Sequence, residues 1–281
     1  MTEAALEPAR TTSHWREEYE QGLRADWGWL TVTGLHWLED GVHLIGSSPA
    51  AAVRLAAGVA GTGSEVPHEL ARITVDGGSA GLDAVSPALH IDGVPVRPGK
   101  VALDSLGRSD RMIAGNQSMI VVARRGRIGV RTFNNDSALR YGFRGCRWFP
   151  VDDGWRVPAR FEPFPEPRRI SFMTVLGDES SVIARGRYAF EVDGRTHSLV
   201  PTGRGSRPFF VFRDATSGIQ TYGASRFLTA DPPVDGVTWL DFNRAHNPPC
   251  AFTPYATCPL PPAGNVLDLA VTAGELTFDA G

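Results

Sequence analysis

Glycine and proline are spread along almost the whole chain, and they limit the secondary structure that it can form. The 281 residues include 31 glycines and 21 prolines, which separate short apolar runs from one another. Glycine weakens the interior of a helix and proline breaks it, so long helices are disfavoured wherever these residues recur closely. Short apolar runs bounded by turn residues are typical of proteins with many β-strands. The chain is therefore predicted to be all-β, with antiparallel sheets in a sandwich or barrel-like arrangement.

One helix is predicted, near the start of the chain. Trp15, Tyr19 and Leu23 recur every four residues in SHWREEYEQGLRAD, as the apolar face of an amphipathic helix requires. Ser13 precedes this pattern and is the expected N-cap. No helical periodicity returns after residue 25. Three tryptophans of the following segment are expected to anchor a hydrophobic core: Trp27, Trp29 and Trp37.

Short apolar or alternating runs mark the expected strands. These are Val42–Ile45, Val53–Leu55, Ala71–Val75, Ala88–Ile91, Lys100–Leu103, Ser118–Ala123, Arg127–Phe133, Trp155–Phe161, Arg168–Leu176, Ser181–Val192, Arg195–Val200, Pro208–Phe212, Thr238–Asp241 and Val266–Val271. Asp193 and Gly194 provide the clearest turn, because Asp-Gly favours the type I′ turn of a two-residue β-hairpin. Phe190 and Val192 alternate with polar residues before this turn, which predicts a hairpin there.

A domain boundary is predicted near residue 125, where strand-rich sequence is followed by the polar stretch NNDSALRYG. Residues 1–125 are then interpreted as the N-terminal helix with a β module. Residues 126–281 are interpreted as a second β-rich domain, or as part of one core shared with the first.

Composition and charge exclude several classes of protein. The net charge of −3 and the charged fraction of 21% are ordinary for a soluble protein and predict no nucleic-acid partner. No apolar run reaches the roughly 18–20 residues of a membrane span, and the N-terminus lacks the apolar core of a secretory signal. The three cysteines are too few for a disulfide framework and indicate a reducing compartment. A cytoplasmic protein without a membrane partner is expected, and its oligomeric state is left open.

The segment DFNRAHNPPCAFTPYATCPLPP, from Asp241 to Pro262, contains six prolines and two cysteines. Prolines fix φ and restrict the residue before them, so the segment is predicted to be a rigid, irregular loop. Its short polar side chains can bond the loop backbone and act as a structural clamp. The same side chains can instead form a ligand site on a rigid scaffold.

Four stretches resemble one bacterial protein family. They are FRGCRWFPVDDGWRVPARF, FVFRDATSGIQTYGASRFL, LDFNRAHNPPCAFTPYATCPLPP and AGE. The family is catalogued as a domain of unknown function, number 1684, and the resemblance is densest from Phe133 to Glu275. The resemblance implies a fold family but no activity. An aromatic residue is expected where His246 stands, which implies that His246 is not a ligand or base on which the whole family depends.

Residues 42–122 show a fainter resemblance to forkhead-associated domains. The stretches HLIGSSPAAAVRL, HELARITVDGG, ALHIDGVPVRPGKVAL and DRMIAGNQSMIVV follow the strand order of that β-sandwich. Ser47 stands where that family carries the arginine that reads phosphothreonine. Ser64 and His68 are loosely spaced counterparts of its second motif. The resemblance implies the layout of a non-catalytic interaction module rather than its phosphopeptide chemistry.

The predicted site would bind a small anionic molecule between the loops Asp214–Arg226 and Asp241–Cys258. Six residues are predicted to bind the substrate: Asp214, Tyr222, Arg226, Asn243, Arg244 and Asn247. In this hypothesis Arg226 and Arg244 hold the anionic group, since guanidinium groups match carboxylates and phosphates in two-point contacts.

Three residues are candidates for catalysis: Asp241, Glu275 and Cys250. Asp241 or Glu275 would supply acid/base capacity. Cys250 would act as a nucleophile with His246 as its base. Cysteines spaced as C-x7-C do not form a common zinc motif, so no metal ligand and no cofactor are assigned. A binding protein or enzyme with an anion site, an interaction module with a structural clamp, and a metal- or thiol-dependent enzyme all remain open.

Overall fold

A computed structural model describes residues 3–58, 65–91, 93–97, 99–101, 103–104, 110–203 and 205–279. Two positions used in sequence predictions lie outside these described residues. They are Ser64, from the forkhead-associated resemblance, and residue 102, from the expected strand Lys100–Leu103. The chain divides into two compact units. Residues Met1–Leu23 and Arg144–Gly281 form the first, here called the C-terminal unit, and Arg24–Phe143 form the second, here called the inserted unit. The first residues therefore group with the end of the chain, whereas the sequence interpretation assigned them to the first β module.

The predicted N-terminal helix is present and is longer than its apolar pattern. Helix α1 spans Glu3–Arg24 and ends on a basic residue, as the helix dipole favours. Ser13 lies inside this helix, so its prediction as the N-cap is wrong. The apolar periodicity of the sequence covers only part of this helix, since the preceding turns carry no such pattern.

The inserted unit is a β-sandwich. Its elements are β1 (Val32–Leu38), β2 (Gly41–Gly46), β3 (Val53–Arg54), β4 (Ala71–Asp76), β5 (Ser79–Ala84), β6 (His90–Ile91), β7 (Val94–Pro95), β8 (Gly99–Lys100), β9 (Leu103–Asp104), β10 (Met112–Ala114), β11 (Gln117–Arg124), β12 (Arg127–Asn134) and the short helix α2 (Ala138–Gly142). One sheet has the order β1-β12-β11-β10-β6-β7 with β9 beside β11, and the other has the order β3-β2-β4-β5-β8. Buried side chains from both sheets share one hydrophobic core, so the sheets pack face to face.

Trp27, Trp29 and Trp37 pack on the opposite face of the first sheet. They cover a smaller apolar cluster that includes Val122 and Phe133. Two arginines of β12 stack on these rings. The guanidinium carbons of Arg127 and Arg131 lie 4.4 Å and 5.2 Å from the ring centroids of Trp37 and Trp29. These two arginines therefore take part in the aromatic packing on this sheet.

The counterparts of the forkhead-associated motif have different surroundings. Ser47 is buried, and its hydroxyl donates to the Val66 carbonyl at 2.8 Å. His68 is exposed, and its carbonyl accepts from the backbone N–H of Ser48 at 3.2 Å. The forkhead-associated resemblance and its interaction role stay predictions.

The C-terminal unit contains the remaining strands. They are β13 (Arg156–Met173), β14 (Glu179–Val192), β15 (Arg195–Leu199), β16 (Phe209–Phe212), β17 (Arg226–Thr229) and β18 (Val237–Asp241). A four-stranded sheet has the order β15-β14-β13-β18, while β16 and β17 form a second, two-stranded sheet. A second hydrophobic core is formed here from both sheets and from the chain after residue 241. The all-β prediction with one N-terminal helix is confirmed.

Local predictions in this unit had mixed outcomes. The hairpin at Asp193 and Gly194 is confirmed, with φ angles of 51° and 71° as a type I′ turn requires. The two strands expected at 155–161 and 168–176 belong to the single strand β13, which bulges between Pro163 and Arg168. The strand expected at Val266–Val271 is wrong, because this stretch makes only an isolated bridge between Arg213 and Val266.

Candidate functional site

The segment Asp241–Pro262 begins at the end of β18 and is fixed by local turns. Short 3₁₀ turns cover Phe242–Arg244 and Pro249–Ala251. Asp241 caps the first of them, because its Oδ1 accepts from the backbone N–H of Asn243 at 3.2 Å. A proline opens the second, where its missing N–H removes no helical hydrogen bond. The segment is thus rigid and irregular, as its sequence predicts.

Asn243 joins this segment to the turn that precedes β13. Its Nδ2 donates to the Asp152 carbonyl at 2.9 Å, and its Oδ1 accepts from the Asp152 N–H at 3.0 Å. The same Nδ2 also donates to Oδ1 of Asp241 at 3.0 Å. Asn243 is buried, so its amide serves as a crosslink within the protein and holds the Asp241 carboxylate in place.

Asp241 and Arg244 line a depression of about 300 Å³ in the C-terminal unit, here called the arginine pocket. Its other lining residues are Thr11, Arg156, Thr229, Asp231 and Trp239. Two other depressions of about 440 Å³ and 340 Å³ lie in the same unit, but none of the predicted site residues lines them. The arginine pocket is therefore the depression to which the sequence-based site corresponds.

Strand register explains why these side chains meet. In β18 the buried residues Thr238 and Leu240 alternate with Trp239 and Asp241, which lie on the other face of the strand. Strand β13 pairs antiparallel with β18 and places Arg156 opposite Asp241. The Arg156 guanidinium lies 4.4 Å from the centroid of the Trp239 ring. A charged and aromatic surface results from side-chain alternation along two neighbouring strands.

The pocket contains charges of both signs. Arg244 Nε lies 3.3 Å from Asp241 Oδ2, and these two side chains keep 26% and 16% of their surface exposed. Asp231 pairs with Arg207 at 2.9 Å and is largely exposed. Arg156 is also exposed. Two guanidinium groups and two carboxylates therefore border an opening that solvent can enter.

Arg226, by contrast, has no exposed side-chain surface. Its Nη1 donates to Asp214 Oδ2 at 2.9 Å and to the Val271 carbonyl at 3.1 Å, while its Nη2 donates to the Ala273 carbonyl. Asp214 in turn accepts from the hydroxyl of Thr216 at 2.6 Å. Burial lowers the pKa of Arg226, and the Asp214 carboxylate opposes this shift. Arg226 and Arg244, which were predicted to share an anion, lie in different surroundings: one in the core and one at the pocket.

The short motif AGE packs against this buried arginine. Gly274 has a φ of 83°, and a Cβ at this position would meet Nη2 of Arg226 at 2.7 Å. It would also overlap the carbonyl oxygens of Ala245 and Phe242. Glycine is therefore required here both by backbone conformation and by space. The following residue, Glu275, donates its N–H to the Ala245 carbonyl at 2.8 Å.

Glu275 is buried and holds the backbone of the proline-rich segment. Its Oε2 accepts from the N–H of Asn247 at 2.7 Å, and Nδ2 of Asn247 donates to the Leu276 carbonyl at 2.8 Å. The hydroxyl of Tyr19 donates to the Asn247 carbonyl at 3.2 Å. Burial raises the pKa of Glu275 to about 7, against the opposing effect of the Asn247 N–H. Glu275 is not among the residues that line the arginine pocket.

His246 packs as an aromatic ring. Its centroid lies 4.9 Å from that of Tyr19, 5.6 Å from that of Trp15 and 6.1 Å from that of Phe227. Burial lowers the pKa of His246 to about 4, so the ring is neutral at pH 7. In the neutral ring Nδ1–H donates to the Arg244 carbonyl at 3.1 Å. This position suits the aromatic residue that the family resemblance implies.

Cys250 and Tyr222 meet at the second half of the segment. The Tyr222 hydroxyl donates to the Cys250 carbonyl at 3.0 Å. The backbone N–H of Cys250 lies 3.3 Å from the sulfur of Cys258. Cys250 is half-buried and Cys258 is buried. These three residues form a cluster of their own and, like Asn243 and Asn247, do not line the arginine pocket.

Sequence reasoning identified Asp241 and Arg244 but did not identify Arg156, Trp239 or Thr229 as pocket residues. The alternation in VTWLD could have placed Trp239 beside Asp241. Arg156 required knowledge of which strand pairs with β18, and no local pattern carries that information.

Within the residues that the structure describes, no group of three or more His, Cys, Asp or Glu side chains is arranged to hold a metal ion. No helix in the described part of the chain is long and apolar enough to cross a membrane.

Comparison with known proteins agrees with the stronger of the two resemblances. Residues 141–276 match the family model described as "Protein of unknown function (DUF1684)", and every predicted site residue lies within that range. The solution NMR structure of the uncharacterized protein from gene locus rrnAC0354 of Haloarcula marismortui is 32% identical, covering 49% of this chain and 79% of that chain, with a TM-score of 0.41. No curated protein sequence matches the chain significantly.

Proposed function

The chain belongs to the protein family of unknown function DUF1684, and we propose that it binds a small anionic molecule in the arginine pocket. The observation that carries this proposal is the pairing of two guanidinium groups, Arg156 and Arg244, around one opening of about 300 Å³. A guanidinium presents several N–H donors in a plane and binds carboxylate or phosphate oxygens in two-point contacts. Two such groups favour one anionic group held between them.

The other lining residues support a ligand that is polar as well as anionic. Asp231 and Asp241 offer carboxylate oxygens that accept hydrogen bonds. Such acceptors suit hydroxyl or amino groups on a ligand. Trp239 keeps 42% of its surface exposed and offers a flat apolar contact beside Arg156. We therefore propose a small carboxylate or phosphate compound that also carries hydroxyl or amino groups.

The proposal is binding, and it assigns no reaction. Asp241 is the predicted acid/base residue that lines the pocket, whereas Glu275 is buried against the Asn247 N–H. Arg226 and Asp214 satisfy one another in the core, which supports a structural role for them. The clamp and the ligand site are thus both compatible with the segment, each using different residues.

Isothermal titration calorimetry of the full chain tests the proposal with inorganic phosphate and with citrate as probes. At least one probe should bind at low ionic strength and more weakly as salt is added. Arg156→Ala and Arg244→Ala should each weaken binding by about 10- to 100-fold, because each removes charge-assisted hydrogen bonds.

Arg213→Ala is the matched control. Arg213 is exposed and lies outside the pocket lining, so this variant removes the same charge without touching the site. Its affinity should equal that of the unmodified chain. Equal affinity in all three variants, or no binding of either probe at millimolar concentration, would overturn the proposal.

A further inference from the structure

Two thiols, Cys250 and Cys258, converge in the proline-rich segment outside the arginine pocket. The backbone N–H of Cys250 donates to the sulfur of Cys258 at 3.3 Å, and the two side chains are hydrogen-bonded to each other. Both are thiols and not part of a disulfide bond. The Cys258 sulfur therefore lies beside Cys250, within hydrogen-bond distance of its backbone nitrogen.

The backbone on each side of this pair is anchored. Cys250 sits within the 3₁₀ turn Pro249–Ala251, where the Ala251 N–H donates to the Pro248 carbonyl at 2.9 Å. The Cys258 carbonyl accepts from the Val175 N–H at 2.9 Å, which ties it to the turn between β13 and β14. Prolines in the segment restrict the remaining freedom. These backbone hydrogen bonds and prolines hold Cys250 and Cys258 next to each other.

The two cysteines differ in a way that assigns them separate roles. Cys250 is half-buried, whereas Cys258 is only 5% exposed. The hydrogen bond from the Cys258 thiol lowers the pKa of Cys250, against the effect of burial. A thiolate at Cys250 is the nucleophilic form. Cys250 is thus suited to react first and Cys258 to react second.

We propose that Cys250 and Cys258 form a peroxide-sensitive dithiol, in which Cys250 is oxidised first and Cys258 resolves it to a disulfide. In the first step the Cys250 thiolate attacks hydrogen peroxide. An S–O bond forms, the O–O bond breaks, and the released hydroxide takes up a proton to become water, which leaves Cys250 as a sulfenic acid. In the second step the Cys258 sulfur attacks that of Cys250, the S–S bond forms, the S–O bond breaks and a second water leaves. Two thiols lose two electrons in total, and one peroxide is reduced to two waters.

The sequence allows an unambiguous readout. After Arg244 the chain contains no lysine or arginine, so trypsin releases residues 245–281 as one peptide that carries both cysteines. Cys146 falls in a different peptide, Gly145–Arg147, because arginines stand at positions 144 and 147. Treatment of the folded full chain with hydrogen peroxide, followed by alkylation and digestion, should give a 245–281 peptide that has lost two hydrogen atoms and cannot be alkylated until it is reduced.

Variants separate the two steps. In Cys258→Ser the resolving thiol is absent, so Cys250 should accumulate as a sulfenic acid that dimedone captures. In Cys250→Ser, Cys258 should stay a thiol over the same time. Cys146→Ser is the matched control and should form the disulfide at the rate of the unmodified chain. Cys258→Ala repeats the test with a residue that carries no hydroxyl, and far-ultraviolet circular dichroism checks that each variant is folded.

Two results would overturn the proposal. One is a 245–281 peptide that keeps both hydrogens and alkylates fully after peroxide treatment. The other is equal oxidation of Cys258 in Cys250→Ser and in the unmodified chain, because Cys250 would then not be the residue that reacts first. The proposal does not depend on the anion site, since neither cysteine lines it.

Discussion

At the scale of single residues, the buried ion pair of Arg226 and Asp214 shows what part of the family signature does. Neither side chain is exposed, and the guanidinium also bonds the carbonyls of Val271 and Ala273. These carbonyls belong to irregular chain and have no strand partner there, so the arginine supplies the donors that a sheet would otherwise provide. Arg226 therefore serves to bond buried backbone carbonyls, and this role requires no ligand.

We expect Arg226→Met to lower the free energy of unfolding by about 3–5 kcal/mol, because it leaves the Asp214 carboxylate buried without its partner. Arg244→Met is the matched control, since its ion pair with Asp241 is partly exposed and such pairs contribute about 1 kcal/mol or less. Urea unfolding followed by circular dichroism measures both. Equal losses in the two variants would contradict the assignment of Arg226 to the core.

Glu275 provides a prediction about pH. Burial raises the pKa of this carboxyl from 4.5 to about 7, so between these values the folded chain binds more protons than the unfolded chain. Stability from this group is therefore fully present below pH 4.5 and is lost as the pH rises through 7. The loss amounts to about 3 kcal/mol.

The neutral variant Glu275→Gln isolates this effect. Between pH 4.5 and pH 8, the unmodified chain should lose about 3 kcal/mol more unfolding free energy than the variant loses. His246, whose pKa is lowered to about 4, is present in both proteins and cancels in the comparison. Parallel stability curves for the two proteins would show that Glu275 does not titrate in this range.

The residues of the candidate site were only partly predictable. Asp241 and Arg244 could be singled out because their segment is irregular and polar, and both line the pocket. Arg226 was equally prominent in the sequence, but nothing in TYGASRFL indicates that this arginine is buried. Arg156 reaches the pocket through the pairing of β13 with β18, which joins residues far apart in the chain. Exposure and strand pairing are tertiary properties, and single-residue chemistry does not encode them.

At the scale of elements, strand β13 shows how prolines shape a long strand without ending it. The residues EPFPEP separate two strands in the sequence prediction, but pairing with β14 resumes after a bulge between Pro163 and Arg168. Prolines are tolerated in strands at such irregular positions. Gly186 lies opposite Pro163, and a Cβ there would overlap the Glu162 carbonyl and the Phe161 ring. The Asp-Gly hairpin was predictable because its turn is local, whereas this bulge depends on both strands.

Gly186→Ala should therefore destabilise the protein by about 1–3 kcal/mol through overpacking against the backbone of β13. Gly22→Ala is the matched control, because Gly22 lies inside helix α1 with nothing within 4 Å of an added Cβ. It should stabilise by about 0.5–1 kcal/mol, since alanine favours the helix. Thermal unfolding of the two variants should shift in opposite directions, and a shift in the same direction would contradict this account.

At the scale of the whole molecule, the chain divides into two units, and the family match at residues 141–276 lies in the C-terminal unit except for its first three residues. Each unit has its own hydrophobic core. Helix α1 completes the C-terminal unit, where Arg16 donates to the carbonyls of Phe149 and Asn243 at 3.1 Å each. Two of the three apolar residues that predicted this helix contact residues more than a hundred positions away. Trp15 and Tyr19 each pack on Trp148 and on His246. The helix itself was predictable from its period, but its partner was not.

The two ends of the inserted unit lie side by side, which leads to a prediction about independent folding. Arg140 donates to the Arg24 carbonyl at 2.8 Å, and the Arg24 guanidinium lies 4.6 Å from the centroid of the Phe143 ring. Adjacent ends are typical of domains that tolerate insertion and excision. We therefore expect residues 24–143 alone to fold with a cooperative thermal transition.

The complementary protein replaces residues 24–143 by a short glycine-serine linker between Leu23 and Arg144. All the residues that line the arginine pocket remain in it, so it should bind the phosphate or citrate probe within about threefold of the affinity of the full chain. A version that also lacks residues 1–23 loses Thr11 from the pocket and the contacts of Arg16 and Tyr19, and it should be less stable and bind more weakly. Circular dichroism and calorimetry on the three proteins measure both properties. If residues 24–143 do not fold alone, the inserted unit is not an independent domain. If the linked protein is equally stable without residues 1–23, helix α1 does not complete the C-terminal unit.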